Sequence, residues 1–352
     1  MSASTRRVVT FPEPRTVEVI EEPIRVPGST EVQVRTTFSA ISPGTERLIY
    51  QGRVPHDIPA DPTIDALEGG MTYPISYGYA AVGEVTAVGE AVNADWLGTR
   101  VFAFQPHASH FVASTEDLIP LPPEVGEKDG VMIPNLETAV NLLMDGQPTI
   151  GERGVIFGQG VVGLLTTALA SRFPLEALYT VEPNPDRRAR SNDWGADRSL
   201  DPSSGLAELR TEMGITSTEA VEADRNGYEG ADLVFELSGE PAVLDDAISV
   251  TGFDGRIIVG SWYGSKQGRA DFGSRFHRSR MELRASQVST IDPRYRGRWT
   301  KERRMQTVLD LLKTIQPGDL VSDTFPHNEA MEAYRRLSED PSGMLQPVFR
   351  YD

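Results

Sequence analysis

The chain has 352 residues, of which 39% are hydrophobic and 24% charged, and this balance indicates a globular protein with a sizeable core. Its net charge of −17 argues against a nucleic-acid partner, because an acidic surface repels the phosphate backbone. Cysteine is absent, which excludes disulfides, thiolate nucleophiles and cysteine-ligated zinc. No apolar stretch approaches the roughly 20 residues of a membrane span, and the N-terminus has no secretory signal pattern. We therefore expect a cytoplasmic protein without a membrane partner.

The basic residues are unusual, since only four of the 34 are lysine. An acidic, lysine-poor surface suits a high-salt cytosol, where salt screens the repulsion between carboxylates. A high-GC codon bias produces the same excess of arginine, so halophilic origin and codon bias both stay open.

The first part of the chain, to about residue 138, is rich in predicted strands. Apolar and polar residues alternate there as they do in half-buried strands, and prolines mark long loops between them. The predicted strands are 17–20, 31–35, 82–89 and 99–104. This pattern predicts a partly open β-barrel.

From about residue 139 the pattern changes to strands that alternate with helices. The strands have nearly continuous apolar cores, which is typical of a parallel α/β sheet. Predicted strands are 154–157, 178–182, 232–236, 255–260 and 281–288, with helices at 139–145, 161–172, 186–190 and 242–250. Two further helices, 303–314 and 328–337, precede a final strand at 346–350.

A glycine motif, Gly158-Gln159-Gly160-Val161-Val162-Gly163, follows one of these strands and opens a helix. This is the context that a dinucleotide-binding G-x-G-x-x-G motif requires. Gly158 allows the tight turn, Gly160 lets a pyrophosphate approach, and Gly163 permits close helix packing. The helix N-terminus then offers unpaired N–H groups, including those of Val161 and Val162, to the phosphates. A tight turn in an unliganded sheet is the alternative.

An acidic residue, Glu182, ends the next strand 19 residues after Gly163. A carboxylate at this position accepts hydrogen bonds from the adenosine ribose and repels a 2′-phosphate, which favours NAD(H) over NADP(H). Arg187 lies close enough in sequence to reach a phosphate, so NADP(H) stays open as the alternative.

Several motifs in order make the chain resemble the medium-chain dehydrogenase/reductase superfamily, the zinc alcohol dehydrogenase group in the broad sense. They are residues 42–46, 76–85 and 98–101, Thr138 and the glycine motif. The resemblance covers nearly the whole chain. It implies a GroES-like barrel at 1–138 and 289–352, a Rossmann domain at 139–288 and an active site in the cleft between them. Residues 39–46 and 287–304 also resemble the bacteriochlorophyllide a dehydrogenase-like subgroup, which oxidises a secondary alcohol on a side chain.

The chain departs from the zinc-dependent members of that family at the ligand positions. Ser42 or Pro43 stands where they have a cysteine, Tyr79 where they have a histidine, and Pro134 where the third ligand is expected. The four-cysteine structural zinc lobe is also impossible in a chain without cysteine. We therefore predict an enzyme without metal.

Without a metal, hydride exchange with a carbonyl needs another proton donor or acceptor near the oxygen. His107 and His110 follow a strand whose end lines the substrate pocket in the family, and imidazole suits a reversible proton transfer. Tyr79 replaces a metal ligand, although filling of the cavity is the alternative. Thr45 matches the family's proton-relaying hydroxyl and Glu46 an acidic neighbour. We rank the catalytic candidates His107, Tyr79, Thr45 and Glu46, and place Ser42 and His110 at the substrate.

On the nucleotide side, the resemblance places the nicotinamide against the ends of the later Rossmann strands. Those positions carry Ser238, Gly260, Ser261, Ser286 and Gln287. Trp262 is predicted to wall the same pocket, with an exposed tryptophan at a subunit contact as the alternative.

Residues 265–304 carry twelve basic and four acidic side chains in an otherwise acidic chain. In the family this neighbourhood forms a subunit contact, which implies a homodimer or homotetramer. The alternative is a clamp for an anionic small-molecule substrate, because arginine suits carboxylate and phosphate. Arg294, Arg296 and Arg298 are the candidates for that clamp.

These features predict an NAD(H)-dependent oxidoreductase that interconverts an alcohol, of the secondary kind in our first interpretation, and a carbonyl. One alternative is an NADPH-dependent quinone or enoyl reductase, which Glu182 disfavours. A second alternative is a nucleotide sensor without catalysis, since a fold does not determine a function.

Overall fold

The computed structural model describes residues 5–55, 57–61, 63–67, 69–215 and 229–352. The chain divides into two compact units, one formed by Met1–Pro134 and Leu309–Asp352 and the other by Asn135–Val308. The sequence analysis placed the second division at 288/289, whereas the structure places it at 308/309. The difference has a physical cause, since Arg304 forms its side-chain hydrogen bonds within the second unit.

The N-terminal part of the first unit is built mainly of antiparallel strands. Its strands are β1 (Thr5–Phe11), β2 (Glu18–Pro23), β3 (Glu31–Ala40), β4 (Ile75–Ser76), β5 (Ala81–Val88), β6 (Arg100–Ala103), β7 (His110–Ser114) and β8 (Ile119–Pro120). Its helices are α1 (Thr45–Tyr50) and α2 (Glu127–Gly130). Alternating burial along β3 turns Val32 and Val34 into a core shared with β5 and β6. The sequence analysis missed β1, β4, β7, β8, α1 and α2.

The second unit is a doubly wound parallel sheet. Its elements are α3 (Ile133–Gly146), β9 (Arg153–Phe157), α4 (Val161–Ala170), β10 (Ala177–Val181), α5 (Pro185–Asp193), β11 (Arg198–Leu200), α6 (Pro202–Glu212), β12 (Ala231–Glu236), α7 (Val243–Val250), β13 (Thr251–Val259), β14 (Glu282–Ala285) and α8 (Lys301–Ile315). The strand order β11-β10-β9-β12-β13-β14 reverses direction of winding between β9 and β12. Ligands of such sheets bind at the carboxyl ends of the strands beside that reversal. The predicted α/β fold class is confirmed.

The C-terminal segment returns to the first unit. It contributes β15 (Val321–Pro326), α9 (Ala330–Glu339) and β16 (Gln346–Arg350). Strand β16 pairs antiparallel with β3, so the sheet order becomes β15-β16-β3-β5-β6-β8, with β7 also paired to β3. The last strand of the chain thus completes the barrel-like sheet that the N-terminal strands begin.

Among the described residues, no helix combines the length and the apolar character that crossing a membrane requires.

Candidate functional site

The glycine turn after β9 has the geometry of a phosphate-binding loop. Gly158 has a φ of +87°, and a Cβ there would lie 2.6 Å from the Cα of Ser238. A Cβ on Gly163 would lie 2.0 Å from the carbonyl oxygen of Gly158, so the helix can approach the turn only with glycine. A Cβ on Gly160, in contrast, would meet none of the described heavy atoms within 4 Å. The turn is therefore closed on its protein side and open at Gly160.

Helix α4 begins directly after this opening. Its N-cap is Gly160, which has no side chain to cap the helix, and the first backbone bond back to it comes from Leu164 at 2.9 Å. The N–H groups of Val161, Val162 and Gly163 belong to the first turn, where an α-helix leaves donors without intrahelical acceptors. These donors and the positive end of the helix dipole fit a pyrophosphate.

Glu182 lies beside the same turn and is buried. One carboxylate oxygen accepts a hydrogen bond from the N–H of Gln159 at 2.7 Å, and the other accepts one from the N–H of Asn184 at 2.9 Å. The acidic residue thus holds the loop after β10 against the glycine turn. Each carboxylate oxygen has two lone pairs, so acceptor capacity for ribose hydroxyls is left over.

Helix α5, which follows Glu182, carries three arginines, and the first two lie nearest to it in sequence. Arg187 lies in the first turn, where its N–H donates to the side chain of Asn184 at 3.2 Å. Arg188 was missed in the sequence analysis. Its guanidinium donates to the carbonyls of Glu182 and Pro183, each at 2.7 Å, which holds the segment after β10. It also forms an ion pair with Asp201, the N-cap of α6, at 3.0 Å. The signal available in the sequence was the position of Arg188, a basic residue in the first turn of a helix that begins soon after Glu182.

The ends of β12 and β13 meet in a buried polar cluster around Glu236, which is 0% exposed. Its carboxylate accepts from the N–H and the hydroxyl of Ser238 and from the hydroxyl of Tyr263 at 2.5 Å. Burial raises the pKa of Tyr263, and the carboxylate raises it further. Ser261 accepts from the N–H of Gly239 at 2.8 Å. Both predicted serines therefore shape the loops next to Gly158.

Other predicted nucleotide contacts lie at the end of β13 and beyond β14. A Cβ on Gly260 would lie 2.5 Å from Leu237, so the strand end is tightly packed. Trp262 is 38% exposed, and Gln287 is exposed. Ser286 donates to Asp145 at 2.7 Å and accepts from Asn141 at 3.0 Å, both on α3. The structure thus ties Ser286 to α3.

Arg304 is the largest fully buried side chain in the described structure. Its guanidinium donates to Glu137 at 2.8 Å and to Asn141 at 2.6 Å on α3. It also donates to the carbonyl oxygen of Val288 at 2.6 Å. Burial raises the pKa of Glu137, whereas Arg304 lowers it. Glu137, Asn141 and Asp145 are four residues apart, a spacing that places them on one helix face and that the sequence analysis overlooked.

In the first unit, three hydroxyl groups lie together at the start of α1. Ser42, Thr45 and Tyr79 are half-buried, and the N–H of Thr45 donates to the Ser42 hydroxyl at 3.4 Å. Burial raises the pKa of Tyr79 to about 12, while hydrogen bonding to Ser42 and Thr45 opposes that rise. We call Ser42, Thr45 and Tyr79 the hydroxyl trio.

Two of the four predicted catalytic residues, Glu46 and His107, lie next to the hydroxyl trio, and both side chains are 0% exposed. His107 Nε2 is 2.9 Å from a carboxylate oxygen of Glu46, and its Nδ1 is 2.6 Å from the hydroxyl of Ser39. The other Glu46 oxygen accepts the N–H of Ser42 at 2.7 Å. Contact between His107 and a substrate would need this packing to open, so the residue ranked first for direct proton transfer lies behind the trio.

The remaining predicted substrate residues lie elsewhere. His110 begins β7, and burial together with the charges of Arg35 and Arg7 lowers its pKa. Three exposed arginines follow β14: Arg294 pairs with Asp292, Arg296 donates to a backbone carbonyl, and Arg298 lies over the ring of Tyr295. His110 belongs to the first unit and the three arginines belong to the second.

The residues at the family's zinc positions do not fit zinc. Pro43 and Pro134 have no side-chain donor, and the Ser42 and Tyr79 hydroxyls are not among the thiolate, imidazole and carboxylate groups that hold zinc in proteins. Among the described residues, no group of three or more histidine, aspartate or glutamate side chains is placed to hold a metal ion.

No family model matches the chain. Curated relatives are nevertheless found. The (R,R)-butanediol dehydrogenase of Bacillus subtilis strain 168 is 28% identical over 274 residues, which is 70% of this chain and 74% of that protein. The D-guloside 3-dehydrogenase of Escherichia coli K12 is 23% identical over 336 residues, 91% of this chain and 93% of that protein.

Solved structures share the fold over the whole chain. The 2R,3R-butanediol dehydrogenase of Bacillus subtilis superposes with a TM-score of 0.77 at 19% identity and covers 99% of this chain and 100% of its own. An alcohol dehydrogenase of Escherichia coli CFT073 solved with NADH gives 0.75 at 19% identity, with 99% of each chain covered. A dehydrogenase of Sinorhizobium meliloti 1021 solved with NADP gives 0.73 at 17% identity, again with 99% of each chain.

Proposed function

We propose that this chain, which belongs to the zinc-type alcohol dehydrogenase-like group of the medium-chain dehydrogenase/reductase superfamily, is an NAD(H)-dependent oxidoreductase that interconverts an alcohol and a carbonyl without catalytic zinc. The observation that carries the proposal is the glycine turn. It opens toward solvent at Gly160, ends at an uncapped helix N-terminus and is held by the buried Glu182. These are the physical requirements for binding a dinucleotide pyrophosphate.

The proposed nucleotide site consists of the first turn of α4 for the phosphates and Glu182 for the adenosine ribose. A 2′-phosphate beside a buried carboxylate would bring two negative charges together, which supports NAD(H) over NADP(H). Structural neighbours have been solved with both nucleotides, so NADP(H) is the alternative that the experiment must separate. The loop ends at Ser238, Ser261 and Ser286 are the proposed surroundings of the nicotinamide.

When bound, the nicotinamide gives or takes a hydride, and the chain's residues handle the proton. We propose that the Tyr79 hydroxyl, with Thr45 and Ser42 beside it, hydrogen-bonds the substrate oxygen and exchanges a proton with it. Ser42 and Tyr79 stand at the family's metal positions, and Thr45 stands at the position of its proton-relaying hydroxyl. All three are half-buried, so a substrate oxygen can meet them. Glu46 and His107 lie behind them.

The proposed independence of zinc is supported by donor chemistry, since the family's ligand positions carry proline, serine and tyrosine. Secondary alcohols are the proposed substrates, in line with the butanediol and guloside dehydrogenases among the relatives. An anionic substrate group, a homodimer or homotetramer, and a cytoplasmic location stay predictions from the sequence.

Nucleotide titration tests the proposal. Quenching of protein fluorescence should show tighter binding of NADH than of NADPH. Glu182→Gln keeps an acceptor for the Gln159 N–H but removes the negative charge. Because the 2′-phosphate then no longer meets a like charge, the ratio of the Kd for NADPH to the Kd for NADH should fall by about tenfold. Glu176→Gln, at an exposed carboxylate on the way into β10, is the matched control and should leave both affinities unchanged.

The same protein should then be assayed with secondary alcohols, ketones and enones, and its zinc content measured by atomic emission. Alcohol–ketone turnover with less than one zinc per ten chains supports the proposal. Turnover of enones with NADPH instead would favour a carbon–carbon double-bond reductase, and nucleotide binding without turnover would favour a sensor. Absence of affinity for both nucleotides would overturn the proposal.

A further inference from the structure

A continuous chain of buried hydrogen-bonding side chains runs through the first unit. It links Tyr351, Ser39, His107, Glu46 and Tyr334. The Ser39 hydroxyl lies 2.9 Å from that of Tyr351 and 2.6 Å from His107 Nδ1, His107 Nε2 lies 2.9 Å from Glu46, and the Tyr334 hydroxyl donates to the same carboxylate. Each member is less than 9% exposed. Two side chains, His107 and Tyr334, contact the Glu46 carboxylate directly, and Ser39 and Tyr351 are linked to it through His107.

Burying such a carboxylate is costly unless it is fully paired. Glu46 meets this condition with three donors, namely the His107 imidazole, the Tyr334 hydroxyl and the N–H of Ser42. The buried Glu46 carboxylate is therefore a specific feature of the unit. Because its desolvation costs free energy, we expect it to serve function or the specificity of the fold.

The pair formed by Glu46 and His107 touches both segments that carry the hydroxyl trio. On one side, Glu46 holds the backbone of Ser42 at 2.7 Å and directly follows Thr45 in α1. On the other side, the His107 ring packs against Gly78, where a Cβ would lie 2.8 Å from Nε2, and the backbone of His107 donates to the carbonyl of Tyr77 at 3.1 Å. Gly78 adjoins Tyr79. The pair therefore joins the segment that carries Ser42 and Thr45 to the connection between β4 and β5 that carries Tyr79.

We propose that Glu46 and His107 are positioning residues that together set the spacing of Ser42, Thr45 and Tyr79, and so do for this substrate site the organising work that a metal ion does in zinc-dependent members of the family. This inference rests on the proposed function, since it assigns a role at the same site. The hydroxyl trio touches the substrate oxygen, whereas the buried pair acts only through it.

The pair also sets the charge around Tyr79. Burial is the main cause that raises the pKa of Tyr79, and the charges of Glu46 and Asp61 raise it further, while hydrogen bonds to Ser42 and Thr45 lower it. The ring of the neighbouring Tyr77 meets that of Tyr79 edge to face. Glu46 therefore helps to keep the Tyr79 hydroxyl protonated at neutral pH, in the form that can donate to a carbonyl oxygen. Removal of the Glu46 charge should lower the pH at which Tyr79 ionises.

The test compares Glu46→Gln, Glu46→Asp and His107→Gln in the full-length protein. Each should lower kcat by about 10²-fold, the loss expected when a reacting group is displaced by about 1 Å, while the affinity for NADH stays unchanged. In Glu46→Gln the rise of alcohol oxidation with pH should also move to lower pH. Glu46→Asp keeps the charge but withdraws it by one methylene, so its kcat should fall with a smaller movement of the pH profile.

Thr10→Val is the matched control. Thr10 is buried in the same unit and hydrogen-bonds Ser76 at 2.8 Å, outside the chain around Glu46. Its loss removes a buried hydrogen bond in that unit and should leave kcat and the pH profile within twofold of wild type. Thermal unfolding and NADH affinity of each variant report whether the protein is folded.

The outcomes separate this inference from the proposed function. If wild-type protein lacks nucleotide-linked turnover, the proposed function fails. If wild type turns over but folded Glu46 and His107 variants keep kcat within threefold and an unchanged pH profile, the pair is merely structural and the inference is overturned. Should Glu46→Gln fail to fold, His107→Gln and Glu46→Asp decide the question, because each retains a hydrogen-bonding group at the pair.

Discussion

Each of the two units contains a buried carboxylate paired with a nitrogen-bearing side chain, and the chemistry of the two pairs differs. In the first unit, Glu46 meets an imidazole and a tyrosine hydroxyl, which can donate and accept protons. In the second unit, Glu137 meets the guanidinium of Arg304, which does not deprotonate and whose other contacts are an amide and backbone carbonyls. The first arrangement can respond to a change of charge at a neighbouring reacting group. The arrangement around Arg304 can only hold its partners in place. Burial of a paired carboxylate alone therefore does not indicate a role in proton chemistry.

The largest expected effect comes from breaking the pair of Glu137 and Arg304 in the second unit. Arg304→Met leaves Glu137 buried without its partner, and such a loss costs about 3 to 5 kcal/mol in the free energy of unfolding. Urea denaturation at pH 7 measures it. Arg303→Met, at the exposed neighbouring position where the guanidinium lies over Trp299, is the control and should cost less than about 1 kcal/mol.

The pH dependence of that variant sharpens the prediction. Burial raises the pKa of Glu137, and Arg304→Met removes the opposing charge. A carboxyl whose folded-state pKa exceeds the unfolded value favours folding at low pH, and this contribution is lost as pH rises through the folded pKa. The deficit relative to wild type should therefore be small near pH 4 and grow toward pH 7. A deficit independent of pH would show that Arg304 acts by packing rather than by charge.

The second prediction concerns the Tyr79 hydroxyl, which lies next to the pair of Glu46 and His107. Tyr79→Phe should lower kcat by about 10²-fold, a typical contribution of general acid–base catalysis, with little change in nucleotide affinity. Tyr77→Phe, at the buried neighbour whose ring meets Tyr79 edge to face, should change kcat by less than about threefold. Equal losses in the two variants would argue for packing as the common cause.

The pH profile of wild type gives an independent check. With a pKa of about 12, Tyr79 stays protonated up to about pH 10. Carbonyl reduction, which uses the protonated form, should therefore be nearly flat from pH 7 to 10. Alcohol oxidation, which needs the deprotonated form, should rise steadily over the same interval. Tyr79→Phe should abolish that rise, and a wild-type plateau below pH 9 would contradict the assignment.

The fold of the second unit was predictable because its signals are local. Gly158, Gly160 and Gly163 lie within six residues, and their spacing states the turn geometry directly. The strand cores of the parallel sheet are continuous apolar runs that sequence periodicity detects. Glu182 was identified by its position, although its hydrogen bond to the Gln159 backbone required the fold.

The buried chain of the first unit was not predictable, because its members are remote in sequence. Glu46 lies 61 residues from His107 and 288 from Tyr334, and Ser39 lies 312 from Tyr351. Residue type identified His107 and Glu46 as candidates but not that they pair or that both are buried. Only the pairing of β16 with β3 brings the C-terminal tyrosine to the N-terminal strands.

The smallest expected effect tests the exposed arginines of the basic segment that also contains Arg304. Arg294→Gln, Arg296→Gln and Arg298→Gln should each raise KM for a carboxylate-bearing alcohol by about two- to fivefold, since one exposed charge contributes about 0.5 to 1 kcal/mol. The change should shrink in high salt, which screens exposed charges, and KM for a neutral alcohol should stay constant. Arg269→Gln, exposed earlier in the same segment, is the control. If neutral and anionic alcohols respond alike, or if Arg269→Gln has the same effect, the segment acts through its overall charge or a subunit contact and does not clamp an anionic substrate.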